Sequence, residues 1–206
     1  GLTATPIRSL NDAGELNEFY ENNLLQLDLD KNYKTIIDYL EMNQILAKPY
    51  FEPIEHENEF QLTEKHIRRL RRKGVDFDSE ILRRLSENHN RNLAITEKLD
   101  EILTKNSKRQ ILFFGTSVDH SKMIATWLKL KGFSAFHLDG GTEASIRQKS
   151  IDAFRDGSLQ ILCNYGVLTT GFDAPKVDCI FIARPTTSPV LYLQMIGRGL
   201  RGPGIG

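Results

Sequence analysis

The stretch Gln194-Met195-Ile196-Gly197-Arg198-Gly199-Leu200-Arg201 sets two guanidinium groups three positions apart. On a helix that spacing puts both on one face, near enough to grip a single anionic group. Gly197 and Gly199 each cost a helix roughly 1 kcal/mol against alanine. Close approach of the backbone to a ligand or another domain would offset that cost. The plainer reading is a basic helix end that complements the macrodipole. A second stretch, Gly166-Val167-Leu168-Thr169-Thr170-Gly171-Phe172-Asp173-Ala174-Pro175, follows an apolar run directly. Its hydroxyls and backbone N–H groups suit phosphate oxygens, and Asp173 suits ribose hydroxyls. An ordinary turn, with Gly171 in an unusual dihedral and Asp173 bonding its own backbone, is the alternative.

The elements around these stretches alternate. Ile111-Leu112-Phe113-Phe114 is a continuous apolar run, the mark of a strand covered on both faces. Ser117 is placed to cap a helix with Ile124, Trp127 and Leu128 inward and Gly132 at its end. Ala135-Phe136-His137-Leu138 reads as the next strand, and Thr142 as the cap of a helix carrying Ile146, Ile151 and Phe154 up to Gly157. Strands follow at Leu159–Cys163 and Cys179–Ala183, then a helix capped by Ser188 with Pro189 in first position. Strand alternating with helix predicts an α/β fold, a parallel sheet flanked by helices. Ligands of such sheets gather at the carboxyl ends of the strands.

Upstream, Ile36, Ile37 and Leu40 share a helical face, and Tyr50–Ile54 reads as a short edge strand. Residues 60 to 106 read as an additional helical segment. Asp78 or Ser79 caps one helix bearing Ile81, Leu82 and Leu85; Thr96 caps another bearing Leu99, Ile102 and Leu103. The segment holds a basic run, Lys65, Arg68, Arg69, Arg71, Arg72 and Lys73. It is either a nucleic-acid-tracking surface or, as slightly favoured, a solvated face paired with Glu64, Asp76 and Asp78.

Charge is balanced over the 206 residues, with 27 basic and 27 acidic side chains, which counts against a pure nucleic-acid-binding module. Cys163 and Cys179 sit in apolar runs without metal-site spacing, and read as buried thiols of a reducing compartment. No metal site is expected, Trp127 reads as core, and His137 receives no role. No apolar stretch reaches transmembrane length and no signal peptide opens the chain, so no membrane association and a cytoplasmic location are expected. Gly1-Leu2-Thr3-Ala4-Thr5-Pro6 reads as the end of a buried strand, and Gly202–Gly206 as a stop in flexible sequence, so a longer polypeptide is expected.

Taken in order, these passages resemble the C-terminal RecA-like lobe of superfamily 2 helicases and translocases. Gln194 to Arg201 is similar to motif VI, Gly171 and Asp173 to the Gly-x-Asp of motif V, and Ile111 to Ser117 to motif IV. Asp139-Gly140-Gly141 with Arg147 and Phe154 is similar to the segment after motif IV, and Leu2–Pro6 to motif III. The flavour is that of motors in type I and type III restriction enzymes and related bacterial DNA repair helicases. The resemblance implies that residues 1–48 are the end of a first lobe and a linker, and 49–206 the C-terminal lobe with a helical insertion at about 60–106. It implies ATP with Mg, held mainly by an N-terminal RecA-like lobe of the same polypeptide. It also implies arginine fingers at Arg198 and Arg201, Gln194 ordering the γ-phosphate side, and Gly171, Asp173 and Gly197 at the nucleotide. Thr116, Ser117, Gly140 and Thr170 would touch a nucleic-acid backbone, DNA ahead of RNA, and Thr3 and Thr5 would couple nucleotide state to lobe closure.

The sequence departs from the pattern in three places. It carries no Gly-x-x-x-x-Gly-Lys-Ser/Thr loop or acidic box, so the chain is not expected to hydrolyse ATP alone. Tyr165 stands where many relatives have a phosphate-contacting threonine, and the strand usually found after motif VI is missing. Two other readings remain: a non-catalytic RecA-like module that binds nucleic acid or scaffolds partners, and a different nucleotide-dependent α/β enzyme such as a nucleotide-sugar transferase, which leaves motif VI unexplained. The motor reading would fail if the two arginine side chains were buried against their own domain and pointed away from the strand ends.

Overall fold

The computed structural model describes residues 36–55, 62–71, 76–167 and 176–201. Four apolar tetrapeptides form one sheet: β1 (Ile111–Phe114), β2 (Ala135–Leu138), β3 (Ile161–Asn164) and β4 (Cys179–Ile182). All pairings are parallel, in the order β2-β3-β1-β4. The helices are α1 (Ile36–Met42), α2 (Glu64–Leu70), α3 (Ser79–Glu87), α4 (His89–Lys105), α5 (Val118–Leu130), α6 (Ala144–Asp156) and α7 (Pro189–Ile196). Every residue of β1 and β3 is buried, as the apolar run of β1 predicts; β3 ends on the buried Asn164, whose amide donates to Phe113 O at 2.9 Å.

Side chains alternate across the sheet and meet two helical layers. Ile111 and Phe113 face Ile95, Leu99 and Leu103 of α4 and Ile124 and Leu128 of α5. Leu112 and Phe114 face Phe154 of α6 and Met195 of α7. The result is a three-layer α/β sandwich. The segment expected as a helical insertion therefore divides. Its α4 is a core layer, whereas α2 buries no residue.

Several local expectations hold. Ser117 accepts from His120 N at 3.1 Å to cap α5, Asp78 caps α3, Ser188 caps α7, and Gly132 and Gly157 end their helices with positive φ. Others are corrected. Thr96 caps nothing, because α4 starts two turns earlier under Asn88; its hydroxyl bonds back to Asn92 O at 3.1 Å and Leu93 O at 2.9 Å. Thr142 does not cap α6; it bonds the Asp139 carboxylate instead. Ile146 is exposed, not inward, because α6 turns Ile151 and Phe154 to the sheet. Tyr50–Ile54 runs without ladder pairing, so it is not a strand. Trp127 is half-buried against the core.

A polar knot ties the upper ends of β1 and β4 to the helical layer. Arg91 of α4 donates to Leu85 O at 3.5 Å, to Thr116 Oγ1 at 3.2 Å, and to Ala183 O. Thr116 in turn donates its hydroxyl to Ala183 O at 3.0 Å, and its N–H to His120 Nδ1 at 3.1 Å. Burial lowers the Arg91 pKa to about 10. Burial, and secondarily the Arg91 charge, push His120 from 6.5 down to about 4. On the opposite layer α7 docks through the fully buried Met195 and through Gly199, whose position leaves no room for a Cβ: one would stand 2.6 Å from Ile180 Cγ1.

Two outcomes follow from this packing. Gly199→Ala must displace Ile180 or lift the end of α7, and overpacking of that kind costs about 1–3 kcal/mol; a urea unfolding midpoint unchanged from wild type would refute the contact. His120 is neutral when folded. Below pH 6.5 the unfolded chain takes up a proton that the folded one refuses until about pH 4, so stability falls across that window by about 1.4 kcal/mol per pH unit. His120→Asn, which can still accept from Thr116 N, should flatten the slope of unfolding midpoint against pH between those values.

Candidate functional site

The end of α7 carries the residues singled out as motif VI. Gly197 continues the helix, its N–H on Leu193 O at 2.9 Å; the chain then tightens, Arg198 N reaching Met195 O at 3.3 Å and Gly199 N reaching Ile196 O at 3.0 Å. By Arg201 it is extended and bridges antiparallel to Leu46, and Ala47 N donates to Leu200 O at 2.9 Å. The two arginines are thus not neighbours on a helix face, as the spacing suggested. Arg198 lies in the unwinding turn and Arg201 beyond it. Gln194 and Arg198 are half-buried and Arg201 is exposed, so neither arginine is sealed into its own domain. The Gly199 backbone does make a close approach, but its partner is β4, not a ligand.

Arg201 borders a groove of about 1400 Å³. Its walls are the extended 47–54 segment, α4, edge strand β4 and the end of α7, with Tyr192 and Ile196 supplying apolar surface. Lys98, on the α4 wall, is held by Glu101 at 2.8 Å and by Glu52. Gly199 rests on Ile180, the second residue of β4, so this turn lies alongside the sheet edge and not off its carboxyl end.

The loops after the strands hold the remaining described candidates. Thr116 is fully buried with its hydroxyl committed to Arg91 and Ala183. The expectation that its side chain touches a nucleic acid is corrected accordingly: it organises the loop from within. Ser117 is half-buried at the start of α5. Gly140 is exposed in the turn after β2, with nothing within 4 Å of where a Cβ would lie. That turn is built by Asp139, whose Oδ1 accepts from Gly141 N at 2.9 Å and Thr142 Oγ1 at 3.2 Å, while Arg147 donates to Asp139 O at 2.9 Å. His137, given no role from sequence, bridges Ser121 Oγ at 2.8 Å and Asp139 Oδ2 at 3.1 Å. Its hydrogen bond holds the Asp139 carboxyl below the usual range, while burial lowers the His137 pKa. Ser, His and Asp in sequence of contact resemble a hydrolytic triad. Ser121 is fully buried, however, so its oxygen cannot meet a substrate, and the chain braces the turn.

Thr3, Thr5, Thr170, Gly171 and Asp173 lie outside the described residues. Among the described residues no group of three His, Cys, Asp or Glu could hold a metal ion, and no helix is long and apolar enough to cross a membrane. Two residues of the basic run pair with acidic neighbours, Arg68 with Glu64 at 3.1 Å and Arg69 with Asp78 at 2.9 Å. Asp76 does otherwise: it takes the loop after β4, accepting from Thr186 Oγ1 at 3.0 Å and Thr187 N at 2.9 Å. Arg184 in that loop lies 3.8 Å from Asp76 and stacks over the Tyr165 ring, 5.2 Å from its centroid. Sequence reading missed Arg91, Asp76 and Arg184 as site-builders. Their partners are up to 111 residues away, and no local spacing marks them.

The helicase conserved C-terminal domain family matches residues 94–202. The chain is 33% identical over 117 residues to the putative ATP-dependent helicase IRC3 of Saccharomyces cerevisiae, covering 53% of this chain and 17% of that protein. It is 27% identical over 201 residues to a 51.5 kDa protein of a Lactococcus phage, covering 98% of this chain and 40% of that one. The chain thus spans less than half the length of these relatives. Among solved structures, a DEAD box protein from Methanococcus jannaschii aligns at 29% identity with a TM-score of 0.49, over 56% of this chain and 31% of that one. With more than half of its length matched in sequence, the chain belongs to the helicase conserved C-terminal domain family.

Proposed function

We propose that this chain is the second motor lobe of an ATP-dependent nucleic-acid helicase or translocase, and that Arg198 and Arg201 are its arginine fingers. The observation that carries the reading is the end of α7. A glycine turn is packed against Ile180 of β4 with no room for a Cβ, and it leaves Arg201 exposed beside a groove with Arg198 three residues behind. Guanidinium groups on a fixed backbone suit charge developing on a transferred phosphoryl group. ATP, with Mg held chiefly by the preceding lobe, supplies that phosphoryl group when bound. On this reading Gln194 orients the γ-phosphate side, Gly197 lets the backbone approach, and Gly171 and Asp173 receive the ribose. Thr3 and Thr5 couple the lobes.

Ser117, Gly140 and Thr170 are proposed to meet the nucleic-acid backbone, a sequence-independent grip. The open space around Gly140 leaves room for a phosphate to approach its N–H. DNA is proposed as the track because Thr170-Gly171-Phe172-Asp173-Ala174-Pro175 and Gly197-Arg198-Gly199-Leu200-Arg201 resemble DNA-directed motors. A cytoplasmic setting is proposed on the two free thiols, Cys163 and Cys179.

In the intact protein, Arg198→Ala and Arg201→Ala should each cut ATP turnover strongly, a finger being worth roughly a thousandfold or more in related chemistry, while nucleotide affinity changes far less. Wild-type turnover in the double variant would support a non-catalytic scaffold instead. Turnover stimulated more by RNA than by DNA would reassign the track.

A further inference from the structure

The loop that launches α7 is gripped from outside by one carboxylate, and nothing in the motor reading uses it. Asp76 Oδ1 accepts from Thr187 N at 2.9 Å and lies 3.4 Å from Thr187 Oγ1; its Oδ2 accepts from Thr186 Oγ1 at 3.0 Å. The same Thr186 oxygen accepts from Ser188 N at 3.0 Å, and Ser188 Oγ accepts from Leu191 N at 3.3 Å to cap α7. An unbroken series of hydrogen bonds therefore runs from Asp76 into the first turn of that helix. We infer that Asp76 is a positioning residue for the arginines at the far end of α7, a role that rests on the motor reading of Arg198 and Arg201.

The physical case is one of leverage. α7 has only eight residues, about 12 Å of helix, so displacement of its first turn passes to its last with little loss. Its lower end is pinned by Met195 and by Gly199 on Ile180. Its upper end has Ser188 and, through Thr186, Asp76. Asp76 stands two residues before Asp78, which caps α3 and takes Arg69 of α2. The carboxylate thus fastens the α2–α3 region to α7. Arg184, 3.8 Å from Asp76 and stacked on Tyr165, is oriented by the same group. The partners lie 110 and 111 residues apart in sequence, so the contact joins separately built parts of the lobe.

The test uses the intact protein and compares Asp76→Ala, Asp76→Asn, Thr186→Val and Arg198→Ala in ATP turnover. Misplacing a catalytic group by about 1 Å can cost a hundredfold. Asp76→Ala should therefore lower kcat by about tenfold to a hundredfold, with KM for ATP within about threefold. Asparagine keeps an acceptor for Thr187 N and a polar group toward Thr186, so Asp76→Asn should recover most of that rate. A merely structural role would predict loss in step with the drop in thermal midpoint and no such recovery. Should Asp76→Ala fail to fold, Thr186→Val removes the same relay with little change in shape and should lower kcat alone. Unchanged kcat in Asp76→Ala or Thr186→Val, with Arg198→Ala inactive, overturns the positioning role and leaves the motor reading standing. Arg198→Ala turning over at the wild-type rate removes the motor reading, and the positioning role with it.

Discussion

Burying a guanidinium is expensive unless its N–H groups find acceptors. Arg91 meets that demand with Leu85 O, Thr116 Oγ1 and Ala183 O, and the described residues give it no carboxylate partner. Two of those acceptors follow β1 and β4, so one side chain of the α4 layer fixes the spacing of two loops at the carboxyl end of the sheet. The charge is tolerated because these acceptors replace part of the hydration that its N–H groups give up on burial. His120 and Thr116 complete the arrangement from the start of α5. The loop from Ala183 to Ser188, and with it the direction of α7, begins from this fixed point.

Seen from there, the lobe divides its labour by depth. The buried Thr116 and His120, the half-buried Arg91 beside them and the buried Ser121 are spent on holding loops. Gly140 and Arg201 are exposed, and Ser117 and Arg198 half-buried. Packing at the edge strand serves the same end. A β-branched side chain at Ile180 fills the space a Cβ at Gly199 would need, and the turn bearing Arg198 and Arg201 is set against the sheet instead of floating above it. Preorganisation of this kind lets a charged group act on a transition state without first paying to be ordered.

Much of this was legible in the residue order. The four strands showed as largely apolar runs, most plainly β1, which is covered on both faces, and Ser117, Asp78 and Ser188 announced helix starts because a short side-chain oxygen answers an orphan N–H at close range. Readings failed where a competing local bond or long-range contact decided. Thr142 had a carboxylate three residues away and took it in place of a helix N–H. Thr96 resembled a cap but falls inside a helix whose start is set by Asn88. The glycines of motif VI suggested close approach, and it exists, yet only tertiary packing could say that β4 is the partner. Arg91 and Asp76 left no trace in spacing, because what matters about them is where chain far away returns.

The two cysteines differ in a way that has a practical use. Cys163 lies wholly buried in β3, where desolvation raises its thiol far above the ordinary range, so almost none of it is thiolate at neutral pH. Cys179 opens β4, is only partly covered, and lines the groove beside Arg201. Burial raises the Cys179 thiol too, so a thiol-directed probe discriminates between the two by access and not by ionisation. Whatever comes to occupy that groove will cover the Cys179 thiol further, so the difference in labelling between the two sulfurs becomes a native gauge of occupancy beside the arginine turn.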